Sequence, residues 1–179
     1  MGIVCYLMPV ADNVLQRVLE GKETIDATID RIHEVDWNRA FYIANGTIED
    51  CYKEAGPIYS IDKAWAILQY ALYPEHDSNP GHPLSKAIAI QSSLLESDRE
   101  AGYLWSSEVK EVWEALKKVS ANTLIENLNV PTESYFYGKY KSEEEKVDNI
   151  SYALMKFSNL LLPYYFAQLE NKGLIIYMA

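Results

Sequence analysis

The chain reads as an α+β protein, predominantly helical, with its helices packed on a small sheet that includes both terminal strands. Three observations carry this. Residues Gly2 to Val10 are rich in β-branched and aromatic types, the composition of a strand. Leu174 to Met178 form a nearly continuous apolar run, as in an interior strand covered on its faces. Between them, apolar residues recur at steps of three and four, which places them on one side of a 3.6-residue helix. Two terminal strands with helices between them pack most economically when the strands share a sheet and the helices cover it.

The first strand is expected to stop at Pro9, which cannot donate to a ladder. Ala11-Asp12-Asn13 then caps a short helix through about Glu20, with Val14, Leu15, Val18 and Leu19 inward and Gly21 as its stop. A second helix spans Thr24 to His33, where Ile25, Ile29 and Ile32 repeat at four and three. Asp36 to Gly56 shows no clean period and stays unassigned. Ser60 caps an expected helix from Ile61 to about Tyr73, with Ile61, Ala64, Trp65, Leu68, Ala71 and Leu72 as its stripe. Glu75 to Pro83 is dense in turn formers and reads as a surface loop. Leu84 to Ile90 is too short for periodicity to separate strand from helical turn.

Gly102-Tyr103-Leu104-Trp105 leads into a helix capped by Ser106, with Glu108 near its positive end. Val109, Val112, Trp113, Leu116 and Val119 face inward, and Glu114 and Lys118 form an exposed pair one turn apart. Asn122 to Leu128 adds one or two turns before Pro131, and the aromatic tract Tyr135 to Tyr140 follows. The closing helix is signalled at both ends: Ser142 and Glu145 fit a capping box, and Gly173 suits a left-handed position past the helix end. Its expected buried stripe is Val147, Ile150, Leu154, Phe157, Leu161, Tyr164, Tyr165 and Leu169. Pro163 removes one helical hydrogen bond, to the carbonyl of Asn159, and predicts a kink or a break.

A chain of 179 residues with 49% hydrophobic content suffices for one well-buried core, so residues 1–179 read as a single domain. No apolar run is long enough to span a membrane. The N-terminus lacks the basic region of a secretory signal, so a cytoplasmic protein is expected. There Cys5 and Cys51 stay reduced, and the sequons Asn45-Gly46-Thr47 and Asn149-Ile150-Ser151 carry no meaning. The cysteines and His33, His76 and His82 have no metal-ligand spacing, so neither metal nor cofactor is expected. The net charge of −10 is diffuse: residues 1–50 hold nine acids and four bases, and residues 101–150 hold nine acids and six bases. Such a surface repels nucleic acid and anionic membranes and speeds encounter with a basic protein partner.

Several segments together resemble a known family. They are Met1-Gly2-Ile3-Val4-Cys5-Tyr6, Ile61-Asp62-Lys63-Ala64-Trp65, Pro83-Leu84-Ser85-Lys86-Ala87-Ile88, Gly102-Tyr103-Leu104 followed by Ser107-Glu108-Val109, and Gly173 with Ile175-Ile176-Tyr177. In order and spacing these resemble the YfbM-like bacterial proteins, a domain of unknown function. The resemblance spans almost the whole chain. It implies a small cytoplasmic α+β protein and brings no catalytic residues with it. One departure is that Ala89-Ile90-Gln91 stands where the family pattern has glycines.

The polar and aromatic members of those segments, Asp62, Trp65, His82, Ser85 and Tyr103, are the candidate ligand-binding residues, because a loop beside two helices can gather them into a pocket. Each also has an ordinary structural role available, as helix dipole partner, core aromatic or turn cap. No nucleophile elbow, phosphate loop or zinc spacing accompanies them. The reading that follows is an acidic protein-binding module, immunity-like in covering a basic partner; 14 tyrosines exceed the needs of a core and suit an interface. The alternative is a small enzyme or metabolite binder with a pocket near Asp62 and His82.

Overall fold

The structure is a computed structural model and describes residues 3–37, 56–88, 100–129 and 142–179. In chain order these form β1 (Cys5–Val10), α1 (Asp12–Leu19), α2 (Ile25–Trp37), β2 (Tyr59–Asp62), α3 (Trp65–Leu72), a 3-10 turn at Ser85–Ile88, β3 (Ala101–Leu104), α4 (Ser106–Leu116), α5 (Ala121–Asn129), α6 (Glu143–Leu169) and β4 (Gly173–Met178). The unassigned stretch from Asp36 to Gly56 lies mostly outside the described residues, as do Ala89, Ile90 and the aromatic tract Tyr135 to Tyr140.

The strands form one antiparallel sheet in the order β2-β1-β4-β3. The two terminal strands are therefore its interior pair, running from Cys5 opposite Met178 to Val10 opposite Gly173. Every residue of β4 is buried, as its apolar run requires. The strand β1 continues one residue past Pro9. In an antiparallel pair a residue's N–H and C=O point to the same side, and the Pro9 carbonyl accepts from Gly56 N at 2.7 Å. The missing N–H thus faces away from β4 and leaves that ladder intact.

Alternation divides the sheet residues between two cores. Cys5, Leu7, Leu104, Leu174, Ile176 and Met178 point to the face covered by α3, α4, α5 and α6. Met8, Val10, Ala101, Ile175 and Tyr177 point to the other face, with Val14 and Leu15 of α1 and Ile25, Ile29 and Ile32 of α2. There Tyr6 stacks on Tyr177 at 5.1 Å, and His33 Nε2 bonds the Tyr177 hydroxyl.

Four local expectations change. The segment Tyr59–Asp62 is a strand and not the first turn of a helix: it pairs with β1, Tyr6 opposite Ser60 and Leu7 opposite Tyr59. Ile61 is fully buried in this strand, so its apolar character did not distinguish the two outcomes. Ala101–Leu104 likewise joins the sheet, on the outer edge of β4, before α4 starts. Ser106 is not the cap of α4, because Asp12 claims it: Oδ1 accepts from Ser106 N at 3.0 Å and Oδ2 from its hydroxyl at 2.6 Å. Glu108 folds back on Trp105 N at 3.1 Å instead. On the outside of α4, Glu114 pairs with Lys117.

The helix α6 is capped as its sequence signals, with Ser142 Oγ accepting from Glu145 N at 3.1 Å. It runs 27 residues without a break through Pro163. Its buried line is rotated from the expected stripe: Ala153, Leu160, Tyr164 and Ala167 are buried, whereas Val147 and Leu169 are 58% and 62% exposed. At its end Asn171, not Gly173, is left-handed, with φ 54°. Lys172 N bonds Ala167 O at 2.8 Å and Asn171 N bonds Gln168 O at 3.3 Å, closing a Schellman motif. Gly173 serves another purpose: a Cβ there would lie 2.5 Å from Leu104 O.

Candidate functional site

The five sequence-selected residues do not converge. Asp62 ends β2 with φ 55°, a left-handed conformation that Asp tolerates better than most residues. Its Oδ2 accepts from the Tyr152 hydroxyl at 3.0 Å and lies 3.4 Å from Lys156 Nζ, both on α6. The Tyr152 bond first, and the Lys156 charge with it, hold the Asp62 carboxyl below the usual aspartate range. Lys156 also sits over the Tyr152 ring, 5.6 Å from its centre. Trp65 opens α3 and packs, partly buried, on the larger core.

His82 lies beyond the other end of α3. Its ring stacks on Tyr73 at 4.1 Å and 8°, and its Nδ1 accepts from Leu84 N at 3.2 Å. The eight residues of α3, about 12 Å of helix, separate Tyr73 from Asp62. Ser85 is buried and donates to Asn79 O at 2.8 Å, closing the turn. Tyr103 projects to the opposite face of the sheet, edge-on to Trp105 at 5.7 Å. Among the described residues no group of three His, Cys, Asp or Glu side chains is placed to hold a metal ion.

A different surface stands out on the outside of α6. Its second half, Phe157 to Leu169, contains no Asp, Glu, Lys, Arg or His. Four of its large apolar side chains are nevertheless wet: Leu162, Tyr165, Phe166 and Leu169 are exposed. Four rings form a run across the helix. Trp113 of α4 lies 5.7 Å from Tyr165, Tyr165 5.3 Å from Phe166, and Phe166 6.2 Å from Tyr59 of β2. Grouped exposed apolar side chains of this kind mark contact surfaces, whereas scattered ones need no explanation.

The first turns of α6 are opposite in character. Glu143, Glu144 and Asp148 are exposed, favoured there by the positive end of the helix dipole. At 100° per residue, Glu144, Asp148, Ser151, Met155, Ser158, Leu162, Phe166 and Leu169 share one side of the helix. That side therefore runs from acidic to apolar over about 38 Å at 1.5 Å per residue. The sequence reading assigned Trp113, Tyr165 and Leu169 to the core and did not select Tyr59, Leu162 or Phe166. The available signal was a charge-free helix half with apolar residues on more than one side, which a single buried side cannot account for.

These features define an α+β domain whose helical layer ends in a half-exposed apolar helix, with no assembled catalytic constellation among its described residues. The chain belongs to the family described as a domain of unknown function (DUF1877), whose model matches residues 1–177. Its fold is that of a protein of unknown function, YfbM from Escherichia coli, whose crystal structure superposes with a TM-score of 0.65. The two are 18% identical, and the match covers 98% of this chain and 99% of that one. No curated protein matches the chain. Among the described residues no helix is long and apolar enough to cross a membrane.

Proposed function

We propose that the domain is a cytoplasmic protein-binding module that covers a partner with a basic surface, in the manner of an immunity protein on its toxin. The observation that carries this is the four-ring run over a charge-free helix half on a protein of net charge −10. Aromatic side chains supply much of the energy of protein interfaces, and an acidic surface draws in a basic partner while rejecting nucleic acid. The buried, free thiol of Cys5 suits a reducing compartment. A metabolite pocket near Asp62 and His82 has less support, because the polar atoms described for both residues are engaged internally and α3 separates them.

The test is affinity capture from the source cells at about 50 mM and about 500 mM salt, conditions between which screening of exposed charges changes strongly. A captured basic protein is then purified and titrated into the domain by calorimetry. A 1:1 complex that weakens with salt is the expected result. Capture of no basic protein, or a complex indifferent to salt, refutes the proposal.

A further inference from the structure

We infer that the partner element seated on α6 is a basic amphipathic helix, lying antiparallel to it with its apolar N-terminal part on the ring run and its lysines or arginines over Glu144 and Asp148. The inference rests on the protein-binding reading above and adds the surface, the shape of the ligand and its direction. Three observations carry it.

The shape follows from spacing. Met155, Leu162, Phe166 and Leu169 recur at seven, four and three along the outward side of α6, the anchor pattern by which one helix packs against another. Trp113 and Tyr59 flank this ridge from α4 and β2, so the ring run extends to both sides of it.

The chemistry follows from charge. Lys146 and Lys156 are the only bases in α6. Lys146 lies 3.9 Å from Glu143 and Lys156 is held by Asp62, which leaves the Glu144 and Asp148 side without a lysine or arginine of its own helix. A second copy of this chain would bring the same acidic turns and another net charge of −10; a basic segment complements them.

The direction follows from dipoles. Cations are favoured in the last turn of a helix and anions in the first. A ligand helix with its lysines in its C-terminal half, laid antiparallel, places those lysines over the acidic start of α6 and aligns the two helix dipoles favourably. The reversed ligand satisfies the side chains but opposes the dipoles.

Two synthetic helical peptides of equal composition test this, one with a leucine and phenylalanine ridge followed by lysines and the other in reverse order. Binding to the full chain is read by fluorescence anisotropy. The apolar-first peptide is expected to bind about tenfold more tightly than its reverse. Tyr165→Ser with Phe166→Ser is expected to weaken it at least about tenfold. Glu144→Gln with Asp148→Asn is expected to weaken it about threefold to tenfold and to flatten its salt dependence. Circular dichroism melts on the same variants confirm that they fold. Equal affinities for the two peptides, no binding by either, or sedimentation showing that the free chain pairs with itself through these residues overturns the inference. If the cellular partner binds both sets of variants as tightly as the unaltered domain, the protein-binding reading stands and only this placement falls. If no basic partner exists, that reading falls itself.

Discussion

Replacing Gly173 by alanine tests the junction on which the sheet depends. A Cβ at this position would meet Leu104 O at 2.5 Å, Leu15 Cδ1 at 2.8 Å and Asp12 Oδ1 at 3.1 Å. The first of these belongs to backbone, and Leu104 is paired with Leu174 beside it, so it cannot move without disturbing the β3–β4 ladder. The third belongs to the carboxylate that holds Ser106 at the start of α4. Overpacking a dense site costs typically about 1–3 kcal/mol, and the backbone clash puts this case at the upper end, about 3 kcal/mol. For a chain of 179 residues, each kcal/mol lowers the melting temperature by about 2–4 °C, so Gly173→Ala should lose about 6–12 °C. Gly56→Ala is the internal control. Its Cβ would lie 3.1 Å from Pro9 Cβ, a longer contact and with a side chain instead of backbone, and the loss should fall at the low end of the overpacking range, about 1 kcal/mol. Urea denaturation and thermal circular dichroism measure both. A Gly173→Ala protein that melts within about 2 °C of the original would refute the close approach of β4 to β3 and α1 described above.

Two further outcomes follow from buried polar groups. Tyr164 is fully buried and donates to Ala87 O at 2.8 Å; Tyr164→Phe leaves that carbonyl unpaired and should cost about 1–3 kcal/mol, read by urea denaturation. Burial pushes the Cys5 thiol up to about 12 from 9.0. In a Cys51→Ser background it should resist a thiol reagent until the protein unfolds. Its folded pKa lies above the unfolded one, so its contribution to stability is complete below about pH 9. It then declines as pH rises toward the folded value, by up to about 1.4 kcal/mol per pH unit. Cys5→Ala should remove that part of the alkaline decline, measured as stability against pH.

Sequence pattern and structure agree most closely where a segment's requirement is local. The Ser142 cap and the Ile25, Ile29 and Ile32 stripe each follow from neighbours within one or two helical turns. They diverge where a distant partner intervenes. Ser60 and Ile61 suit a helix start as well as a strand, and the free side of β1 decides for the strand. Ser106 is a good cap until Asp12, 94 positions earlier, takes both its donors. Gly173 fits a left-handed stop, but Asn171 already fills that place and the strand needs a residue without a side chain.

The candidate site was the least legible part, for the same reason. Selecting polar residues from family-like segments found Asp62 but not Tyr152 or Lys156, since the contact between β2 and α6 spans 90 positions. The exposed rings escaped notice because an apolar residue at helical spacing carries the same signal whether it faces a core or a partner.

By itself the sequence determined the fold class, the terminal strands as sheet members, most helix positions and the net negative charge. These depend on composition and on periods of two and 3.6 residues, which are properties of short stretches. Only the tertiary structure decided the strand order, the rotation of α6 about its axis and hence which of its apolar residues remain in water. A helix with apolar residues on more than one side can bury only the part its neighbours reach, and those neighbours are distant in the chain.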